Sequence, residues 1–389
     1  DNYPANEDTP AQIAMSHDLM RGIKGGTPFL LMEQTPSVTN WLSYNALKRP
    51  GVMRLWSYQA VAHGADSVMF FQMRRSIGAC EKLHGAIIDH VGTNQTRVYR
   101  EAQALGKELE RIGEETLGAV TEAEVAVYFD WDNWWALELC SGPTKDMDYL
   151  LQVAHYYRAF HKQNIAVDIV KFTSNLDSYK VVVAPLAYMI KPGFAERLTK
   201  FVENGGTLIG TYMTGLADET DRCIFGAYPG PLRNVFGLWV EETDALYPEE
   251  TNQIIMNENR EVYSCSFLCD RLRLENAKTL GTYGSDFYAG EPCVTVNEYG
   301  KGKAYYLGTQ PDEAFLKIFV HKVCEEADVH PVLQVEEGIE VTSRENENGK
   351  FYFVMNHNAA EKQIVLPEGK WENLIGAQPE NEKLILKAN

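Results

Sequence analysis

The sequence predicts a multidomain α/β chain: strand–helix units of the α/β-barrel kind, then a flavodoxin-like α/β domain, then a small antiparallel β-sandwich. Three observations carry this reading. Short apolar runs alternate with longer helical patterns from Phe29 to Thr211, the rhythm of parallel sheets whose strands need crossovers. The first two apolar runs end in clusters of polar and charged residues, where α/β barrels place their functional groups. From Val332 onward the period changes to apolar–polar alternation broken by Asn and Gly.

Phe29-Leu30-Leu31-Met32 is an uninterrupted apolar run, as a strand buried on both faces requires, and it stops at Glu33. Thr35, Ser37, Thr39, Asn40 and Trp41 follow, residues suited to a polar site with an aromatic wall. Tyr44 to His63 has the apolar spacing of a crossover helix, kinked or delayed by Pro50-Gly51. Gly64-Ala65-Asp66 breaks it, and Ser67–Gln72 reads as the second buried strand. Arg74, Arg75, Glu81 and His84 come next. Glu81 and His84 are spaced i, i+3, so on a helical turn carboxylate and imidazole face the same way and can converge on a polyol or a metal ion. Carboxylate-bridged metal centres need two such motifs, and only one is present. An exposed turn carrying a charged pair is the other reading.

Thr96 to Leu117 is an amphipathic helix carrying Val98, Ala102, Leu105, Leu109 and Ile112. Thr121–Glu124 is a polar joint, and Val125–Phe129 opens a new α/β pattern. A helix over Met147–Lys162, strands at Val167–Val170 and Lys180–Ala184, a helix opened by Pro192, a Gly205-Gly206 turn and a strand at Thr207–Thr211 complete a parallel sheet of flavodoxin-like topology. Trp131, Trp134 and Trp135 follow its first strand and read as core packing or a subunit contact rather than a sugar platform. Beyond Val332, Glu347-Asn348-Gly349 is a hairpin turn between Val335, Ile339 and Val341 on one side and Phe351, Phe353 and Met355 on the other. Ile364, Val365 and Trp371 extend this module, which reads as a structural cap.

Several function classes fall away. Neither a dinucleotide-binding nor a P-loop glycine pattern occurs. A net charge of −18 argues against nucleic acid and anionic membrane as partners. No apolar run is long enough to span a bilayer, and no signal peptide is visible. The 7 cysteines are odd in number and scattered, so reduced thiols are expected, and Cys265 and Cys269 alone make a weak zinc site. The composition points to a cytoplasmic globular protein of two or three domains.

The segments Met32–Ser37, Leu47–Ser67 and Arg74–Ala86 resemble the β-galactosidases of glycoside hydrolase family 42, as do Phe129–Glu138 and Gly226–Arg233. The resemblance covers essentially the whole chain. It implies a retaining double displacement, in which one carboxylate attacks the anomeric carbon and a second, about 5 Å away, protonates the leaving oxygen and later activates water. Glu33 matches the nucleophile; Trp41, Glu81 and His84 match residues that hold the galactosyl group, and Phe71 is placed with them. Arg74, Arg75 or a neighbouring hydrogen-bond donor is expected to keep Glu33 ionised. No cofactor or metal is implied; the partners implied are a β-galactoside and two further copies, as a homotrimer.

The resemblance also defines departures. The family's acid/base is a Glu preceded by Asn on an earlier strand, and Asn6-Glu7 lies in a polar segment and does not qualify. An eight-stranded barrel needs about 200 residues, so residues 1–120 are expected to be the last two units of the barrel, 121–331 the trimerisation domain and 332–389 the β-sandwich. The middle domain resembles class I glutamine amidotransferases, yet Cys140 and Cys223 sit in no nucleophile elbow. Met73 replaces a usual Trp, which bears on subsite preference. A partial barrel is expected to expose the flanks of Phe29–Met32 and Val68–Phe71. The alternative function is a non-catalytic trimeric scaffold or carbohydrate-binding remnant.

Overall fold

Thr9 opens the first helix: its hydroxyl accepts from Gln12 N, and Pro10 occupies the first turn of α1 (Pro10–Ile23). The computed structural model describes residues 2–4, 9–376, 378–379 and 383–387; Asn6 and Glu7 lie outside them. The chain divides into two compact units, Asp1–Glu122 with Val332–Asn389, and Ala123–Pro331.

In the first unit β1 (Phe29–Gln34) pairs in parallel with β2 (Ala65–Phe70) through the crossover helix α2 (Val52–Ala62), whose start is delayed past Pro50 by Gly51 at φ 89°. Leu31 packs on Ala60 and Ala65, but Leu30 and Met32 are 54% and 60% exposed. The expectation of a strand buried on both faces is therefore corrected: among the described residues β1 pairs only with β2, and its outer apolar side chains face solvent. α3 (Arg97–Thr116), capped by Thr96, buries Leu105 and Ile112 against Tyr58.

The second unit runs β3 (Val125–Tyr128), α4 (Trp131–Leu139), α5 (Tyr149–His161), β4 (Val167–Val170), β5 (Val181–Ala184), β6 (Met189–Ile190), α6 (Phe194–Glu203), β7 (Thr207–Thr211), β8 (Ala217–Asp218) and α7 (Arg233–Phe236). It continues with β9 (Leu238–Ala245), β10 (Asn252–Met256), β11 (Val262–Leu274), β12 (Lys278–Tyr283), β13 (Pro292–Tyr299), β14 (Gly302–Leu307), β15 (Thr309–Pro311) and α8 (Glu313–Glu326). Strands β14-β7-β5-β3-β4 are parallel neighbours, and β15-β11-β10-β12-β13 extend the same sheet antiparallel, with β9 on β11. The all-parallel expectation is thus corrected: the sheet has 11 strands and is mixed. The antiparallel half escapes pattern reading because β11 is bulged between Ser266 and Cys269, with Phe267 at φ 72°, which breaks the alternation. Pro192 does not open α6; Gly193 at φ 79° is the N-cap. Trp131 and Trp135 are 45% and 54% exposed, so the core-packing reading is corrected for both. All 7 cysteines are free.

Asp270 is buried in this sheet, and among the described residues no cation hydrogen-bonds to its carboxylate. Thr243 donates to its Oδ1 at 2.6 Å, Tyr306 to its Oδ2 at 2.8 Å and Tyr228 more weakly at 3.3 Å. Burial lifts its carboxyl to about 7 against the opposing pull of those hydroxyls.

The chain returns to the first unit through β16 (Ile339–Asn346), β17 (Gly349–Asn356), β18 (Lys362–Val365) and β19 (Lys383–Leu386). The first two form a hairpin over Glu347-Asn348, the last two a second pair, and Leu333, Ile339, Val341, Ile364 and Leu366 form the core of this module. One face of β16 docks on α2 and β2 through polar side chains. Glu340 accepts from Gln59 at 2.8 Å and meets His63 at 2.7 Å. Thr342 donates to Ala62 O at 2.8 Å. Arg344, 1% exposed, donates to Val61 O, Ala65 O and Ala119 O and pairs with Asp66 at 2.6 Å.

Two outcomes are expected. Arg344→Met strands these carbonyls and Asp66, and should lower the unfolding free energy by on the order of 3 kcal/mol, read by urea denaturation followed through tryptophan fluorescence. For Asp270 the folded pKa lies above the unfolded value of 3.8, so the stability tied to its protonated form is complete below that value and is lost as pH rises through about 7. Asp270→Asn should therefore gain melting temperature relative to the parent as pH goes from 5 to 8; a constant difference across that range would refute the assignment.

Candidate functional site

Glu33 stands one residue from the end of β1, at the carboxyl end of a parallel strand pair. The register of that pair slips between Leu31, opposite Val68, and Gln34, opposite Phe70, so β1 carries one extra residue there. The slip lets Leu31 and Gln34 both face α2: Leu31 packs on Ala60, and the Gln34 amide donates to Ser57 Oγ at 3.2 Å. Glu33 is freed to meet a different neighbour, the hydroxyl of Tyr3, which donates to its Oε1.

Tyr3 is the hub of the site. Its ring meets Trp41 edge-on at 5.7 Å and His84 edge-on at 6.0 Å, and Phe71 closes on His84 at 5.1 Å. Burial, then the hydrogen bond to Glu33, then the negative charges of Glu33 and Glu81 push the Tyr3 phenol well above its ordinary value. The phenol therefore stays protonated and remains a donor to Glu33.

Trp41 is exposed and offers a flat indole face. Asn45 holds its loop, accepting from Thr39 at 2.7 Å and from Leu42 N at 3.2 Å. Asn40 ties the loop to Cys80 O at 2.5 Å. Glu81 sits in a 3₁₀ turn over Cys80–Leu83, and His84 follows it in extended conformation, its N–H returning to Glu81 O at 3.0 Å. The helical-face argument for Glu81 and His84 is thereby corrected: Glu81 is exposed and His84 is 2% exposed, so the pair does not share a helix face. His84 Nδ1 donates to Gly85 O at 3.0 Å, so Nε2 is the ring nitrogen outside that bond.

Of the donors expected beside Glu33, the contacts among the described residues give it a neighbouring hydroxyl, that of Tyr3, rather than an arginine. Arg75 pairs with Asp89 at 3.0 Å and donates to Leu83 O at 2.7 Å, so it braces the Glu81–His84 loop, while Arg74 is exposed. Met73 is exposed. Among the described residues, Glu33, Glu81 and His84 do not form a group whose ligand atoms gather within 4.8 Å, the arrangement a metal ion needs. The sequence reading missed Tyr3. Its single trace is its place before Pro4, which favours extended backbone but says nothing of a partner 30 residues on.

Residues 1–112 match the family described as β-galactosidase, 123–330 the β-galactosidase trimerisation domain and 338–389 the β-galactosidase C-terminal domain. The chain is 50% identical to the β-galactosidase BgaP of Planococcus sp. (strain L4), covering all of this chain and 58% of that protein. It superposes on the crystal structure of a β-galactosidase from Bacillus circulans sp. alkalophilus with a TM-score of 0.98 at 49% identity. A cold-adapted β-galactosidase from Rahnella sp. R3 gives 0.93 at 41% identity. In both, all of this chain is covered and 58% of the other. The chain thus spans a little over half the length of the relatives it matches.

Gly85 fixes the distance between the two loops. Its N–H donates to Val38 O at 2.7 Å, and a Cβ there would lie 2.7 Å from Val38 N and 2.9 Å from Val38 O. Gly85→Ala must push the loops apart. The His84 ring protons should then lose the ring-current shifts imposed by Tyr3 and Phe71 in the NMR spectrum; unchanged His84 resonances would show that the loops absorb the methyl elsewhere.

Proposed function

Because the chain belongs to the glycoside hydrolase family 42 β-galactosidases, we propose that it carries the nucleophile and the innermost sugar subsite of a retaining β-galactosidase. The observation that carries this is the Tyr3 hydroxyl donating to Glu33, with Trp41 and His84 against the Tyr3 ring and Phe71 against His84. In this reading the free Glu33 oxygen attacks the anomeric carbon and the bond to the leaving oxygen breaks. Tyr3 holds the other oxygen and fixes the direction of attack. The Trp41 indole covers the sugar's C–H face, while His84 Nε2 and the Glu81 carboxylate accept hydroxyl hydrogens. Hydrolysis of the glycosyl-enzyme by an activated water then restores Glu33 with retained configuration.

The finer reading of the architecture belongs to the same proposal. Residues 1–120 are the last two units of a (β/α)8 barrel, 121–331 a flavodoxin-like trimerisation domain and 332–389 a small β-sandwich. The parallel order β14-β7-β5-β3-β4 supports the middle assignment. A homotrimer is in keeping with the exposed indoles of Trp131 and Trp135 on α4. No helix among the described residues is long and apolar enough to cross a membrane, and 7 free cysteines suit a reducing cytoplasm.

A 2,4-dinitrophenyl 2-deoxy-2-fluoro-β-galactoside tests the proposal on this chain. Its leaving group departs without protonation, so labelling asks only for a nucleophile and a sugar subsite. Intact-mass and peptide analysis should find the fluorogalactosyl group on Glu33, and Glu33→Gln should carry none. A folded chain that takes no label at saturating reagent would favour the non-catalytic remnant instead.

A further inference from the structure

Three successive carbonyls at the end of β1 take their donors from three different segments. Glu33 O accepts from Asn2 N at 3.0 Å and Gln34 O from Phe71 N at 2.9 Å. Thr35 O accepts from the Lys48 ammonium at 2.8 Å. The same Nζ lies 3.4 Å from Gln34 Oε1, whose amide nitrogen is held by Ser57, itself bonded to Met53 O at 2.7 Å. Lys48 is 4% exposed, and among the described residues its Nζ hydrogen-bonds only to these neutral oxygens. Burying an ammonium beside neutral acceptors is unfavourable, because the charge gives up its hydration and gains no counter-ion. A methionine of similar length fills such space without that cost, so packing alone does not account for a lysine here.

We propose that Lys48 is a positioning residue for Glu33: its buried ammonium pins the Gln34–Thr35 segment from behind and so sets the height and direction of the carboxylate that attacks the sugar. The inference rests on the reading of Glu33 as nucleophile. Lys48 touches neither the carboxylate nor the sugar; it acts through the backbone that carries Glu33. Burial is the cause that lowers its pKa, to about 7. Arg97 donates to the Lys48 carbonyl at 3.0 Å and is itself paired with Glu101. The neutral amine gives up one donor and the charge, so the grip on Thr35 O weakens on the alkaline side.

The test uses this chain, the same fluorogalactoside and Lys48→Met. The inactivation rate constant is expected to fall tenfold or more, the order of loss that a displaced reacting group brings, with the concentration for half-saturation changed less than twofold. Because dinitrophenolate needs no acid, the parent's rate should decline as pH rises from 6 to 9, and Lys48→Met should flatten that limb. Equal rates in parent and variant overturn the inference, and so does an alkaline limb that survives in the variant. If Lys48→Met does not fold, the parent's profile decides: a rate flat from pH 6 to 9 is the overturning result. Failure of the parent to label at Glu33 at all would remove the nucleophile reading and this inference with it, which keeps the two failures apart.

Discussion

One buried guanidinium organises the first unit. α2 ends at Ala62 and β2 begins at Ala65, so the chain turns with too few residues to satisfy its own carbonyls. Arg344 reaches in from β16 and covers Val61 O, Ala65 O and Ala119 O while holding Asp66. Arginine alone offers five donors in a fixed fork, and its charge finds a carboxylate in the same place. Since Ala65 pairs with Phe29, the clamp also sets where β1 begins, and the strand's length then decides where Glu33 emerges. The last segment of the chain is therefore bound into the same unit as the functional strand ends, and its polar face is taken up by docking.

Buried charge in this chain is met by different means. In the first unit, His63 stands between Asp18 and Glu340, each at 2.7 Å. Burial alone would lower its pKa, but the two carboxylates outweigh it and lift the imidazole to about 9. Asp270 in the second unit is met by hydroxyls, whose pull is smaller than the effect of burial, so the carboxyl moves up. Lys48 is the plainest case, with neutral oxygens as its partners and burial as the whole cause of its shift. Paired charges hold elements together at modest cost; an unpaired one marks a place where geometry has been favoured over stability.

This contrast explains what was legible in the sequence. Local signals read well: Pro50-Gly51 delays α2, the Glu347-Asn348 hairpin closes as its turn residues require, and Val167–Val170 and Thr207–Thr211 are strands to the residue. Glu33, Trp41, Phe71 and His84 stand out in the sequence from apolar runs ending in polar clusters and from the family resemblance; Tyr3 meets Glu33, Trp41 and His84, and Phe71 packs on His84. What escaped was non-local. Tyr3 and Lys48 act on β1 from segments 30 and 13 residues away, and no periodicity encodes such a partner. The antiparallel half of the large sheet escaped because a bulge at Phe267 erased the alternation that would have announced it.

A second bulge does more than obscure a pattern. Strict alternation along β1 would put Leu31 and Glu33 on one face, and a carboxylate beside Leu31 would be driven against Ala60 with no donor to meet it. The slipped register places Gln34 rather than Glu33 on that face, where its amide spans the Ser57 hydroxyl and the Lys48 ammonium. Glu33 is thereby turned toward Tyr3. The same extra residue accounts for both halves of the arrangement: the polar anchor behind the strand end and the carboxylate in front of it. A bulge at that point costs regular ladder hydrogen bonds, and the donors from Asn2, Phe71 and Lys48 replace them one for one. Irregular backbone supported by three separate segments is stiffer than a free strand end, and stiffness at the carboxylate is what the proposed attack on a single carbon demands.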